Sequence, residues 1–307
     1  MPPETTPPAL RYHSRSLDYV KIVCNITASR VSNLSSEFAN TLTGQPIATC
    51  RRPGPLYFGR REWFLRAECG TCSVVQAVIA PYVERFGPRR VCEVLTPYLT
   101  PARMARIEAV LAQRLASVTV VVEDTYDPHN AVAAIRTSEA FGLADFHAIS
   151  GIDHLRLAPG ITRGCDRWID VQRWPTPAAC VAQLRARGFG VYATAPEAQF
   201  DLETIDVTRP VAVMFGNEHA GLSAAAEQLC DGAVRIPMFG FTESFNLSVS
   251  VALVASRLTA RRRAWLGADG DLTESQLETK RAYWMAYKVR EVDQLLARLL
   301  PLDASLA

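Results

Sequence analysis

VAVMFGNEHAGLSAAAEQLC, residues Val211 to Cys230, is the stretch whose reading decides the fold. Its apolar run, closed by Gly216, has the length and composition of a strand buried on both faces. A glycine-bounded acidic loop, Gly216-Asn217-Glu218-His219-Ala220-Gly221-Leu222, follows, and then the helix SAAAEQLC. Strand, tight turn and helix in that order place the loop at the C-terminal edge of a parallel sheet, where such folds bind ligands. Glycine there lets a backbone approach a ligand closely. The loop has neither the GxGxxG nor the Walker spacing, so neither a dinucleotide nor a nucleoside triphosphate is its natural ligand.

The same alternation extends on both sides. Upstream, Met104, Ile107, Val110, Leu111 and Leu115 recur at helical spacing behind Thr100-Pro101. Then come VTVVVED (118–124) as a buried strand, a helix from about Asn130 to Phe141, and the strand FHAI (146–149). DVQRW and FGVYATA read as strands flanking the helix PTPAACVAQLRARG, which ends at Gly188. Downstream, AVRIPMF reads as a strand. SFNLSVSVALVASRL has a period-two Ser-Val-Ser-Val, but its length, its alanines and its run into LTARRRAWL favour a buried helix. A helical tail follows, roughly Thr273 to Leu300. The expectation is an α/β protein with a mostly parallel sheet.

Composition narrows the function. At 307 residues with 49% hydrophobic content the chain has ample core, and a formal charge of +2 leaves nucleic-acid binding to local patches. Lysine occurs only at Lys21, Lys280 and Lys288, so the positive charge is nearly all arginine. No secretory leader and no membrane-spanning run is visible, which predicts a soluble cytoplasmic protein. Of eight cysteines, five lie in the first third. Cys69-Gly-Thr-Cys72 with Cys24 and Cys50 has the makings of a four-thiolate zinc site, against which stand their wide spacing and the simpler reading of free thiols. The opening residues, to about 87, are proline-rich and irregular, and read as an accessory domain, an extension, or upstream sequence joined by a mistaken start.

Three strand-turn-helix segments carry polar residues at one sheet edge. In VVEDTYDPHNAVAAIRTSEAFG, Asn130 and Arg136 are six apart, nearly two helical turns, so both can reach the rim; the plain alternative is an N-cap and a surface arginine. The second segment is GNEHAGL. The third, IPMFGFTESFNLSVSVA (Ile236–Ala252), places Ser244 and Asn246 where a helix begins. Glu218 as base and Ser244 as nucleophile would sketch a hydrolase, but no histidine is paired with them.

In this order and spacing the three segments resemble the SpoU/TrmH family of RNA ribose 2'-O-methyltransferases, of the SPOUT superfamily, from about Phe86 to the C terminus. Asn130, Ala133, Arg136 and Gly142 match the first family motif; Gly216-Asn217-Glu218 with Gly221-Leu222 match the second; Ile236-Pro237-Met238, Ser244 and Asn246 match the third. LTPARMARIEAVLAQRL, ITRGCDRWIDV and the basic tail are similar to the members that methylate guanosine 18 in the tRNA D-loop. The resemblance implies a SPOUT fold with a deep trefoil knot on its C-terminal side, S-adenosylmethionine as cofactor, tRNA as partner, and a homodimer whose active site draws on both subunits. It divides the chain into an N-terminal extension (1–87), an N-terminal helical segment (88–117), a SPOUT catalytic domain (118–258) and a C-terminal helical RNA-binding extension (259–307).

The residue roles are likewise carried over. Thr194, Gly216, Ile236 and Phe245 would line the cofactor pocket. Arg136 would stand closest to the acceptor hydroxyl, either helping an RNA phosphate withdraw its proton or only orienting it, since free arginine keeps its own proton. Asn130 would hold Arg136 or the ribose, Glu218 would brace the loop or place the partner subunit's arginine, and Ser244 and Asn246 would shape the pocket. The family usually has Ser-Leu-Asn where this chain has Ser244-Phe245-Asn246; a backbone contact tolerates the change, whereas packing on adenine would shift cofactor affinity. Arg257, Arg261, Arg262, Arg263, Lys280, Arg281 and Lys288 are expected either to meet the tRNA backbone or to form a solvated helix face. Methylation of ribosomal RNA and a catalytically silent RNA-binding protein are the rival expectations.

Overall fold

A computed structural model describes residues 74–302, less Tyr126, 150–163 and Gln199. The CxxC pair, with Cys24 and Cys50, lies outside these residues. Cys92, Cys165, Cys180 and Cys230 are free thiols, and no cluster of metal-ligating side chains occurs among the described residues. No described helix is long and apolar enough to cross a membrane.

The chain forms α1 (Val74–Phe86), α2 (Pro88–Leu95), α3 (Pro101–Leu111), β1 (Val118–Glu123), α4 (Pro128–Ala140), β2 (Asp145–Ile149), β3 (Asp170–Trp174), α5 (Pro177–Ala186), β4 (Gly190–Thr194), β5 (Phe200–Asp201), β6 (Val211–Phe215), α6 (Ala224–Gln228), β7 (Gly232–Arg235), α7 (Leu247–Leu266), α8 (Glu274–Ala286) and α9 (Val292–Leu299). Helix starts are set by short polar side chains accepting from the first free amides: Thr100, Asp127, Thr176, Ser223 and Asn246 each cap one, and Thr273 with Gln276 makes a reciprocal capping box. SFNLSVSVALVASRL is helical from Leu247 on, as its length and alanines require. The tail breaks in two where Glu291 turns to a φ of 49°. AVRIPMF pairs only as far as Arg235; Ile236 to Phe239 run on outside the sheet.

The seven described strands are all parallel, in the order β3-β2-β1-β6-β4-β7-β5. β1 and β6 are the central pair, with Val120 opposite Val213 and Val122 opposite Phe215. Because β1 leads outward to β2 while β6 closes its other side, chain direction reverses here, and a crevice opens at the strands' C-terminal ends. One sheet face packs under α4 and α7 through Ile135, Phe146, Val251 and Leu258; the other packs under α5 and α6 through Val181, Leu184 and Met214. A separate core joins α1, α2 and α3 to α8 and α9 around Ile79, Leu95, Leu111, Met285 and Leu296. Helical structure is thus present from Val74, inside the irregular opening stretch, and it buries the C-terminal tail.

The cations expected on an RNA surface are mostly held inside the fold. Buried Arg262 donates to Ser117 Oγ (2.8 Å) and the Val207 carbonyl (2.6 Å), and burial lowers its pKa. Arg261 binds the carbonyls of Leu202 and Ile205. Arg263 reaches those of Asp269, Gln113 and Phe141. Lys280 pairs with Asp170 (2.6 Å), Arg281 forks onto Glu108 (2.6 and 2.9 Å), and Arg257 faces Glu203 at 3.4 Å. The carbonyl contacts satisfy oxygens in loops and just past helix ends, and the ion pairs tie α8 to α3 and β3 and α7 to the segment after β5, so these residues stitch the C-terminal helices to the rest of the fold. Lys288 is the exception.

Candidate active site

Three side chains from the three motif segments meet at the sheet's C-terminal edge. Asn130, in the first turn of α4, donates through Nδ2 to Glu218 Oε1 at 2.6 Å. Asn246, which caps α7, donates through Nδ2 to Asn130 Oδ1 at 3.1 Å. A carboxylate accepts only, so Asn130 must turn its amide nitrogen to Glu218 and its oxygen to Asn246. The relay Asn246–Asn130–Glu218 therefore has one direction, and it ties two loops and two helices together.

The loop after β6 is a closed structure in its own right. Asn217 and Gly221 exchange both backbone hydrogen bonds at 2.9 Å, while Asn217 Oδ1 accepts from the amides of His219 and Ala220 and its Nδ2 donates to the Asp124 carbonyl at 2.7 Å. Gly221 needs a φ of +71°. Gly216 is required for another reason: a Cβ there would run into the backbone of Gly221 and Leu222, closer than 3.0 Å. The loop's own closure is thus one reason for glycine here, beside the close approach of a ligand that the sequence suggests. Buried Glu123, at the end of β1, accepts from both the amide (2.8 Å) and hydroxyl (2.7 Å) of Ser223 and so anchors the far end of the loop. An acid ending an otherwise apolar buried strand, VTVVVE, was the available signal for that anchor.

Beside the loop, between the ends of β4, β6 and β7, lies a cavity of about 130 Å³ lined by Thr194, Ala195, Pro196, Phe215, Val234, Ile236, Met238, Ser244, Phe245 and Ser250. Thr194, Ile236 and Phe245 are thus brought together, with Ser244; Gly216 stands next to the lining residue Phe215. Thr194 Oγ1 donates to the Met214 carbonyl (3.0 Å), which leaves its oxygen lone pairs toward the cavity as acceptors. Arg136 is exposed on α4, and its charge is felt by the Cys165 thiol, whose pKa burial pushes up to about 11. It makes no hydrogen bond or ion pair with another described residue, so Asn130 does not hold it within this chain.

Known proteins are similar to this chain in sequence and fold. The SpoU rRNA methylase family model matches residues 117–256. The tRNA (guanosine(18)-2'-O)-methyltransferase of Borreliella burgdorferi is 37% identical over 171 residues, covering 55% of this chain and 78% of that one. The protein of the same name from Thermus thermophilus is 38% identical over 156 residues, 50% of this chain and 80% of the other. The chain belongs to the SpoU rRNA methylase family. Its fold also matches the crystal structure of the A. aeolicus TrmH/SpoU tRNA modifying enzyme, with a TM-score of 0.54 and 25% identity over 61% of this chain and 96% of that one.

The family's matched residues contain the whole sheet from β1 and all three polar segments. The helical core built by α1, α2, α8 and α9 lies outside the match, at both ends. As a SpoU methylase, the chain presents an apolar slot able to take a planar heterocycle at the strand ends. A braced loop with a polar relay stands next to it, and an exposed guanidinium waits one helix away. That set suits holding a nucleoside-bearing cofactor against an RNA ribose. It lacks a nucleophile and base in contact, so the hydrolase reading of Ser244 with Glu218 falls away: Glu218 faces Asn130, and Ser244 faces the cavity.

Proposed function

We propose that this protein transfers a methyl group from S-adenosylmethionine to the ribose 2'-oxygen of guanosine 18 in tRNA. The observation that carries this reading is the Asn246–Asn130–Glu218 relay beside the cavity at the ends of β4, β6 and β7, in a chain that matches relatives named for that reaction. S-adenosylmethionine, when bound, supplies an electrophilic methyl group on a sulfonium. The apolar walls fit it: Phe215, Val234, Ile236 and Phe245 offer faces for the adenine, and Thr194 offers an acceptor.

In this reading the protein works by alignment. With the cofactor bound, the reaction would be an in-line displacement in which the O–C bond would form as the C–S bond broke and the acceptor proton passed to water, and positioning of that kind contributes roughly 7–11 kcal/mol. The relay fixes the loop after β6 against the starts of α4 and α7. Arg136 orients the acceptor hydroxyl and its neighbouring phosphate through a planar fork that lysine does not reproduce. The reading includes a homodimer. Phe239 and Phe241 are 99% and 108% exposed, and Val249 and Leu253 follow them on one face of α7, an apolar surface that a second copy would cover. An arginine that makes no hydrogen bond or ion pair with another described residue suits a site completed across that interface. The reading also includes the trefoil knot: in its favour, the chain leaves β7 on one half of the sheet and returns through Ile236 to Asn246 to lay α7 on α4 and β1.

The test uses labelled S-adenosylmethionine with an unmodified tRNA transcript and with the same transcript carrying 2'-deoxyribose at guanosine 18. Label in the first alone establishes the reaction. Label in both, or in neither, refutes it at that position. The family description favours ribosomal RNA as the second reading, so a ribosomal RNA transcript belongs in the same assay.

A further inference from the structure

The stitching of most tail cations into the fold leaves a small group that is not so used. Lys288, just past α8, holds its ammonium 4.6 Å from the centre of the Trp168 ring. Trp168 is itself fixed edge-on against Trp284 (5.5 Å) and Tyr287 (5.8 Å), so the platform is rigid. The charges that bear on Lys288 are Arg103, in the first turn of α3, and Arg167, in the short turn before β3. All three cations are exposed, and none makes an ion pair or side-chain hydrogen bond with another described residue. Lys280 and Arg281, about two turns earlier in α8, each have an acceptor at 2.6 Å, so the contrast is within a single helix and its end.

Three like charges brought together from distant parts of the sequence repel one another, and the Trp168 face offsets only part of that repulsion. Consistently, partial desolvation and the two neighbouring guanidiniums lower the Lys288 pKa. Water and salt screen such a group where it is exposed, and it stays open to an incoming anion. The location points to which anion. The turn that carries Arg167 starts at Cys165, whose thiol senses Arg136, and α4 packs on that turn. The turn that carries Arg167 therefore packs on the same helix that carries the arginine assigned to the acceptor nucleotide.

We propose that Arg103, Arg167 and Lys288, gathered around Trp168, form a binding site for backbone phosphates of the substrate RNA, outside the reaction centre and reached across the Gly164–Trp168 turn. This rests on the reading of the protein as an RNA methyltransferase. It reassigns the RNA contact from the arginines of α7, which are bonded within the fold, to a site built jointly by α3, the turn before β3 and the end of α8. Arginine forks suit bidentate phosphate contacts, and lysine adds a point charge.

The experiment measures binding of a fluorescent unmodified tRNA transcript by the full chain as a function of salt. The parent is compared with Arg103→Gln, Arg167→Gln and Lys288→Gln, singly and combined, and with Lys288→Arg. Each lost phosphate contact should reduce the slope of log affinity against log salt by about 0.7–0.9, and the triple variant by about 2–3. Lys288→Arg should keep the parent slope. S-adenosylmethionine binding without RNA serves as the folding control; if the triple variant fails it, the single variants decide by the same slope. Parental slope and affinity in the variants, with tRNA methylated by the parent, would overturn the proposal and leave the function standing. The expected slope losses with no methylation of tRNA by the parent would uphold the site as an RNA contact and sink the functional reading. No RNA binding by the parent would sink both.

Discussion

Replacing Gly216 with alanine tests the account of the loop after β6 without assuming any reaction. The added Cβ would sit under 3.0 Å from backbone atoms of Gly221 and Leu222, and backbone cannot swing aside as a flexible side chain does. Relief requires the loop to open, which breaks the paired Asn217–Gly221 hydrogen bonds, both 2.9 Å. Two neutral hydrogen bonds contribute roughly 1–3 kcal/mol together. Loss of the Asn217 side-chain bond to the Asp124 carbonyl adds about 1 kcal/mol more. The sum, about 2–4 kcal/mol, corresponds to a Tm lower by roughly 5–15 °C for a domain of this size. Thermal melting followed by far-ultraviolet circular dichroism reads the first quantity, and calorimetric titration with S-adenosylmethionine reads the second, where a weakening on the order of tenfold or more is expected because the opened loop borders the cavity. A Tm indistinguishable from the parent's would show that the loop accommodates a methyl group and that its closure is not what requires glycine.

Asn130→Asp sets a carboxylate against Glu218 in place of an amide 2.6 Å away, so methyl transfer should fall about 10- to 100-fold at roughly pH 8 and recover as the pH is lowered and the pair shares a proton; a pH–rate profile parallel to the parent's would refute the relay. Arg262→Gln removes the bonds to Ser117 and Val207 from a buried position and should lower stability by about 3 kcal/mol in urea unfolding, with no change in the salt slope of tRNA binding; a changed slope at unchanged stability would return this residue to the RNA surface. Burial pushes the Asp145 carboxyl up, but the His147 ring 3.8 Å away and Arg187 at 2.7 Å outweigh it and hold the group at about 2, against an ordinary 3.8. A depressed folded-state pKa stabilises above the unfolded value and is lost as the pH falls, so about 2 kcal/mol should disappear between about pH 4 and about pH 2. In Asp145→Asn that part of the acid slope should be missing; an identical slope would refute the assignment.

The sheet was legible because its strands are buried on both faces. VTVVV, FHAI and VAVMF are largely apolar runs without alternation, and several of them separated by helical segments are what a parallel sheet covered on both sides produces. The site was legible where a polar residue stood at a strand end or helix start, as Asn130, Glu218 and Asn246 do. Three features were not. β5 is two residues long and carries no pattern. α1 and α2 pack by tertiary contact with α8 and α9, and their value lies in residues far along the chain. The destination of the arginines was hidden for a related reason: a run such as Arg261-Arg262-Arg263 looks the same whether its acceptors are phosphates or the carbonyls of Leu202, Val207 and Phe141.

That ambiguity bears on how charge should be read in this chain. With 33 basic residues, nearly all arginine, set against 31 acidic ones, the protein must divide its cations between holding itself together and holding a polyanion. Arginine meets the first need well, since one guanidinium satisfies several carbonyls at once, as Arg263 does. A cation already satisfied by fixed carbonyls gains little from a phosphate, because it would have to abandon them. Affinity for RNA therefore follows the cations the fold leaves unsatisfied. Among the described residues Arg103, Arg167 and Lys288 qualify on that ground, and Arg136 qualifies on the same ground at the proposed reaction centre.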